Sequence, residues 1–436
     1  MKIVIVGGGA GGLELATSLG RKLGRKGKAD VLLLDRGHTH IWKPLLHEVA
    51  SGSLDAEADA VGYRAHAHQN GFTFKVGSLC GVDRERKVIK LAALTDVDGE
   101  EILPPREESY DYLVLAIGSV SNDFGIEGVS DHCIFLDSIG QAKTFQRRLL
   151  NRFIRLNRDL DKSDADNTMH VVIVGGGATG VELSAELFKA RQWFATYGLK
   201  HVRPEHLQVS LIEAGPRLLP ALNERISGAV HTELENLGVS VNVSTMVVRA
   251  EKDALVTKDG ERFQADLMVW AAGVKAPDFL KDFGGLEVNR ANQLLVEPTL
   301  QVKGDSSIFA LGDCAGCVMK GDDGEERWVP PRAQSAHQMA SLVGKNIRNI
   351  AANKPLNEFE YSDYGSLVSL SDFTAFGRLM GGISTGSLNV EGRIARFAYV
   401  SLYRMHQLAI HGWLRTLLVT LSDRINRYIR PKLKLH

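Results

Sequence analysis

Several things are scarce in this 436-residue chain. Cysteine occurs four times, at Cys80, Cys133, Cys314 and Cys317. That is too thin for a disulfide framework and points to a reducing compartment. No run of about 18 apolar residues occurs, so no segment reads as a membrane-spanning helix. Net charge is missing too: 52 Lys and Arg balance 52 Asp and Glu, which excludes a generally basic surface that coats nucleic acid. The 14 histidines show no HExxH or comparable ligand spacing, and no metal site is read from them.

What is present is an ordinary globular composition, 44% hydrophobic and 24% charged, in a length that suits two or three domains. Met1-Lys2 runs straight into Ile3–Val6, which reads as a first core strand rather than a signal peptide. Charge is unevenly placed. Residues 393–436 hold nine Lys and Arg against the single acid Asp423, leaving 43 basic and 51 acidic residues in the first 392. Glycine is plentiful, 44 residues, and clustered, which suggests tight turns and close approach of backbone to ligand.

The chain repeats itself once. KIVIVGGGAGGLELAT (2–17) returns as HVVIVGGGATGVELSA (170–185), 168 positions later. A closing pair follows, an acid, an apolar run and Ala-x-Gly, at 111–118 and 266–273. Between opening and closing strands each copy carries an Asp-Gly turn flanked by strand-like sequence, at 88–103 and 254–263, the signal of an inserted antiparallel meander. The polar stretch 151–168 marks the crossing between copies. The fold expected is α/β: two Rossmann-like dinucleotide-binding domains with inserted β-meanders, plus a C-terminal amphipathic helical region that anchors to a membrane. The expected boundaries are 1–165 with 290–355 for the first domain, 166–289 for the second and 356–436 for the anchoring region.

Gly7-x-Gly9-x-x-Gly12, filled in by Gly8, Ala10 and Gly11, follows a strand and opens a helix. Glycine there permits a tight turn, backbone approach to a pyrophosphate and close helix–strand packing, and the helix N-terminus offers free N–H groups. Asp35, followed by Arg36, ends the next apolar run where an acid accepts ribose hydroxyls. The second copy supplies Gly175, Gly177, Ala178 and Gly180, with Glu213 as its acid; residues 192–208 account for the longer spacing. A ribose-binding acid repels a 2′-phosphate, so Glu213 favours NADH. Two dinucleotide sites in one chain imply FAD, held tightly in the first, and an exchanging NADH in the second. Asp313, after the strand Ile308–Leu311, can meet the ribityl chain of that FAD. Glu182 begins the second helix and faces the crevice between cofactors; as an acid at a helix N-terminus it equally complements the dipole, and Glu14 holds the same place in copy one. Cys314-x-x-Cys317 suggests a redox or soft-metal pair, but it lies by the flavin's sugar chain and is expected to be structural, as is His337.

The pattern of GGGAGG, Asp35, AIG, GGGATGVE, WAAG and LGDC resembles the two-dinucleotide-binding-domain flavoproteins. Within these, His38–Asp55 (HTHIWKPLLHEVASGSLD) and Ala333-Gln-Ser-Ala-His-Gln338 resemble the type II NADH dehydrogenases, single-subunit NADH:quinone oxidoreductases that pump no protons. The resemblance implies FAD at Gly7–Gly12, Asp35, Arg36, Ala116, Gly118, Asp313, Ala333 and Gln334, with Lys43, Pro44 and Leu45 near the flavin ring. It implies NAD at Gly175–Gly180, Glu213 and Gly273, Glu182 near nicotinamide and flavin, and a quinone pocket (ubiquinone or menaquinone) at Gln334 and Gln338. It further implies a peripheral place on the cytoplasmic side of a bacterial inner membrane. The rivals are a sulfide:quinone reductase, a soluble flavoprotein reductase of a protein or disulfide partner, and a non-catalytic NADH sensor.

In the tail, Leu414, Leu417, Leu418, Leu421, Ile425, Tyr428 and Ile429 share one helical face. Arg415, Thr416, Asp423, Arg424, Asn426, Arg427 and Arg430 lie opposite. Such a helix reads as an in-plane anchor on anionic phospholipid. Packing on the body or in a homodimer seam is the competing use of its apolar face. Truncation before Phe397 is expected to free the protein from membranes and leave both dinucleotide sites working.

Overall fold

The computed structural model describes residues 1–429 except 97, 163–166, 191–197, 321–323, 371–373, 381–386 and 392. Lys2–Val6 lies at the centre of the first sheet, parallel to Asp30–Asp35 on one side and Tyr112–Leu115 on the other. Thr73–Val76 extends the sheet beyond the former, Asp305–Ala310 beyond the latter, and Gln301–Val302 closes it antiparallel. Ile3, Val4 and Ile5 are fully buried, as a parallel strand covered on both faces requires. Helix α1 (Ala10–Lys22) covers one face.

The second sheet repeats this with five parallel strands, in the order Ile134–Phe135, Leu267–Trp270, Met169–Val174, Leu207–Ile212, Val239–Asn242. Helix α2 (Ala178–Ala190) stands where α1 stands in the first. Each half carries a three-stranded antiparallel meander, Leu79–Asp83, Val88–Leu91 and Arg106–Ser109 in one, Val247–Ala250, Ala254–Thr257 and Arg262–Gln264 in the other. The Asp-Gly turns sit in hairpins, with Gly99 and Gly260 at φ 86° and 83°. In the first copy that hairpin, Leu94–Thr95 with Glu101–Leu103, is an extra arm beside the meander.

The chain crosses between halves earlier than the expected 165. Ile134–Phe135 already pairs with Val269 and Trp270 of the second sheet. The helix Ile139–Lys162 buries Phe145, Leu149, Phe153 and Leu156 in the second core. The polar stretch that suggested a boundary belongs in part to the outer side of this amphipathic helix, whose i, i+4 apolar stripe faces inward.

Helix α3 (Ala333–Ile350) packs on α1. Beyond it, Gly365–Leu370, Thr374–Met380 and Ser387–Glu391 form an antiparallel sheet. Val368, Leu370 and Phe376 join the second core, while Ile410, from helix α4 (Arg393–His411), joins the first. The C-terminal region is therefore fastened to both halves. Gly412, at φ 80°, separates α4 from helix α5 (Trp413–Ile429). Among the described residues no helix is long and apolar enough to cross a membrane.

Candidate functional site

The two glycine loops share one geometry. Gly7 and Gly175 take φ of 103° and 114°, and their N–H groups donate to Leu34 and Ile212 across 2.8 Å. A Cβ on Gly12 would stand 1.8 Å from the Gly7 carbonyl oxygen, and one on Gly180 2.0 Å from that of Gly175, so the helix can approach its strand only as glycine. A Cβ on Gly9 or Gly177 would meet nothing within 4 Å. That open side, with the uncapped N-terminus of α1 beside Gly9, is room and donor chemistry suited to a diphosphate. The loops' acids match as well. Gly8 and Gly37 N–H donate to Asp35 at 2.6 and 2.7 Å, and Gly176 and Gly215 N–H to Glu213 at 2.6 Å each. Arg36 is exposed.

The two closing motifs meet. Gly7 rests against the Ala116 carbonyl and Gly175 against Ala271. Gly118 and Gly273 then turn the chain at φ 71° and 64°, and the segments that follow pair antiparallel, Val120 with Lys275 and Ser121 with Val274. Beside this ribbon lies a cleft of about 500 Å³, lined among others by Ser119, Lys275, Gln293, Asp313 and Trp328. Ser119 Oγ donates to Asp313 at 2.7 Å, and Lys43 Nζ reaches the Ser119 carbonyl at 3.0 Å and Asp137 at 3.2 Å. Lys43-Pro44-Leu45 is a single helical turn that brings this lysine in. The structure thus joins Lys43 and Asp313 through Ser119, which the sequence reading passed over; its signal was its place directly after Ala-x-Gly.

Glu14 and Glu182 are both buried. Glu14 accepts from His337 Nδ1 at 2.5 Å and from His406 Nδ1, on α4, at 2.7 Å. Burial acts to raise its carboxyl, but the hydrogen bonds and charges of the two histidines outweigh it and hold it below the usual range. The bond to Glu14 raises His337 in turn. Glu182 accepts the Ser369 N–H at 3.1 Å and lies 3.4 Å from His47 Nδ1. Burial pushes His47 down to about 4. Gln334 and Gln338, one turn apart on α3, each donate to the Ser362 carbonyl, at 2.8 and 2.7 Å, and Ser362 N–H returns a bond to Gln338 at 3.0 Å. Ala333 is the first residue of that helix.

Cys314 and Cys317 are buried, and burial pushes both thiols up to about 11. Cys314 Sγ points to the Leu115 and Leu311 carbonyls, into the sheet. Cys133 is pushed to about 12, and Cys80 is exposed. A thiol that stays protonated is a poor nucleophile.

The tail divides at Gly412. Helix α4 is packed on the body, with His406, Gln407 and Ile410 buried and Trp42 edge-on against Tyr403 and His406 at 5.3 and 4.5 Å. On α5 the apolar face is turned to solvent: Trp413, Leu414, Leu417, Leu418, Leu421 and Ile425 are 53–73% exposed. Thr416 is buried opposite, and Arg415 bonds Gln69 at 2.5 Å. The packing alternative describes α4 and the free amphipathic face describes α5; Arg430 lies outside the described residues.

Compared with known proteins, residues 1–340 match the pattern of the pyridine nucleotide-disulphide oxidoreductases. A type II NADH:quinone oxidoreductase of Haemophilus influenzae is 51% identical, across 100% of this chain and 99% of the relative. Another, of Staphylococcus aureus, is 29% identical across 87% of this chain and 90% of the relative. Among solved structures, NDH2 of Plasmodium falciparum in complex with NADH has the same fold, at a TM-score of 0.82, 22% identity and 99% of each chain.

Proposed function

The chain belongs to the pyridine nucleotide-disulphide oxidoreductases and, among them, to the type II NADH:quinone oxidoreductases, and from that membership we propose how its own residues divide the work of an FAD-dependent enzyme that oxidises NADH and reduces quinone. One observation carries the division. Two loops of the same geometry, each with its own carboxylate, rest against closing motifs whose following segments pair with one another, so two dinucleotides held there converge on one place. FAD, when bound, supplies the redox chemistry, taking the hydride of NADH and passing the electron pair to quinone.

The first loop, Gly7–Gly12, is the FAD site. The N–H groups at the start of α1 face the diphosphate and Asp35 the adenosine ribose. Asp313, steadied by Ser119, and Lys43 meet the flavin end of the molecule. The second loop, Gly175–Gly180, takes NADH, and Glu213 accepts its ribose hydroxyls. Glu182, in the first turns of α2, accepts the Ser369 N–H and lies 3.4 Å from His47, and is assigned to the nicotinamide end of the site. Gln334 and Gln338 form the quinone-facing edge of α3.

The apolar face of α5 lies in an anionic leaflet, on the cytoplasmic face, where a reducing compartment supplies NADH. A homodimer seam is the competing use of the same leucines.

The deciding experiment is an anaerobic titration. NADH bleaches the bound flavin, and quinone restores its colour. Flavin that NADH does not bleach overturns the reading. Flavin that is bleached but reoxidised only by a disulfide or protein acceptor overturns its quinone half.

A further inference from the structure

The two glycine loops are held differently at one atom. In the second, the Gly176 carbonyl accepts the backbone N–H of Leu219 at 2.8 Å, a bond within the same half of the molecule. In the first, the equivalent Gly8 carbonyl accepts two side chains, the Tyr63 hydroxyl at 2.7 Å and His40 Nδ1 at 2.9 Å. His40 Nε2 lies 2.9 Å from His406 Nε2, and His406 Nδ1 lies 2.7 Å from Glu14. All four side chains are buried.

The proton positions follow from the partners. A carbonyl only accepts, so His40 Nδ1 carries hydrogen. The Glu14 carboxylate likewise only accepts, so His406 Nδ1 carries hydrogen and one hydrogen is left for the Nε2–Nε2 contact. Burial above all holds His40 down to about 3, so that hydrogen sits on His406 and His40 Nε2 accepts it. The donor side of the pair is thus the tail residue. His406 Nε2–H orients the His40 ring, whose Nδ1–H then fixes the Gly8 carbonyl. In a planar trans peptide the carbonyl and the following N–H point opposite ways, so fixing the Gly8 oxygen inward aims the Gly9 N–H outward, into the open side of the loop. Gly9 is the residue whose Cβ would meet nothing within 4 Å.

We infer that His406, on the helix that carries the membrane arm, is a positioning residue for the FAD site: acting through His40, it sets the peptide that faces the diphosphate. Retention of flavin then depends on the docking of α4, whereas among the described residues the matching carbonyl of the NADH loop is held from within its own half. This rests on the first loop being the FAD site.

The test is the rate of FAD release from the full-length holoenzyme, read as the gain of free-flavin fluorescence on dilution. His406→Phe keeps the ring volume and removes both bonds; release is expected to accelerate on the order of tenfold, the worth of a buried charged hydrogen bond. NADH binding to the second loop stays as in the parent. His40→Phe gives a similar acceleration, and the double variant releases flavin no faster than either single one, because the two act in series. Additive effects signal general loosening of α4 and overturn the inference, as does parental release from His406→Phe. Should His406→Phe not fold, Glu14→Gln takes its place: it weakens the hold on His406 without loss of volume, and parental release from it overturns the inference equally. A site exchange is recognised separately, since Gly177→Val rather than Gly9→Val would then yield flavin-free protein.

Discussion

Glu14 and Glu182 stand at the same position of the repeat, 168 residues apart, and each anchors the C-terminal region to its own half, Glu14 through His406 and Glu182 through the peptide of Ser369. In the sequence their equivalence weakened the argument for a special role of either. In the structure it gives both a role, as the buried acids on which one region docks twice. A buried carboxylate is stable in such a place only with strong donors, and removal of His406 weakens that compensation at Glu14, which keeps His337.

The glycine loops lead to a graded set of outcomes. A Cβ on Gly9 or Gly177 meets no atom within 4 Å, so Gly9→Val and Gly177→Val should fold. Gly9→Val should be colourless, and Gly177→Val yellow yet not bleached by NADH. Gly12→Ala places a methyl 1.8 Å from a backbone oxygen and should lose thermal stability as well as flavin. Absorbance at the flavin band together with a melting curve separates the three; the reverse colours for the valine variants would exchange the sites.

Glu213 already holds the Gly176 and Gly215 amides, so its carboxylate is preset for a ribose. Glu213→Ala should raise the KM for NADH about tenfold and narrow the preference over NADPH, because both the hydroxyl acceptor and the repulsion of a 2′-phosphate are lost. Steady-state kinetics with both nucleotides checks this, and an unchanged preference would remove Glu213 from the site.

Truncation has to respect the join at Gly412. Removal of residues 413–436 should move the protein to the soluble fraction with flavin and NADH:ferricyanide activity retained, while activity with long-chain quinone in membranes falls. Truncation before Phe397, expected from the sequence alone to be equally harmless, also deletes His406 and Ile410 from the body and should cost flavin and stability. Sedimentation with membranes and flavin content are the two readouts. A protein truncated at 413 that still pellets has its anchor elsewhere; one that becomes monomeric from a dimer assigns α5 to a seam.

Acid should destabilise the fold before it denatures typical carboxylate pairs. His40 and His47 are buried and neutral, with folded values of about 3 and 4 against 6.5 for a free imidazole. The unfolded chain therefore binds more protons below 6.5, so their contribution is full above that pH and is lost as the pH falls toward 4. At pH 5.5 each costs about 1 kcal/mol. Glu14, held low, adds to the loss at lower pH, whereas His337, held high, acts the other way, its contribution fading as the pH rises above 6.5. Melting temperatures from pH 8 to 5 should fall on acidification, and less steeply in His47→Phe. A flat profile would mean these rings are hydrated.

The strand-loop-helix units, their acids and the Ala-x-Gly closures were legible because each is contiguous and its spacing is set by backbone sterics. The duplicated fold followed from them. The ties between distant segments were not. Glu14 and His406 are 392 positions apart, and nothing local marks either as the other's partner. Ser119 was overlooked since its role depends on Asp313, 194 positions on. The crossing at Ile134 was hidden because two residues suffice to add an edge strand, too short for a periodic signal. The tail's amphipathic pattern was visible, but its division into a docked and a free helix depends on which apolar residues find a groove in the body.

Of the chain's four thiols, three lie inside the protein with their proton held to about 11 or 12, and Cys80 alone faces water. A maleimide dye at neutral pH will therefore mark one point on the native molecule, in the strand Leu79–Asp83 of the first meander. The protein thus offers a single optical reporter without any engineered cysteine, and energy transfer from Cys80 to labelled lipid would gauge how high the body stands above the bilayer.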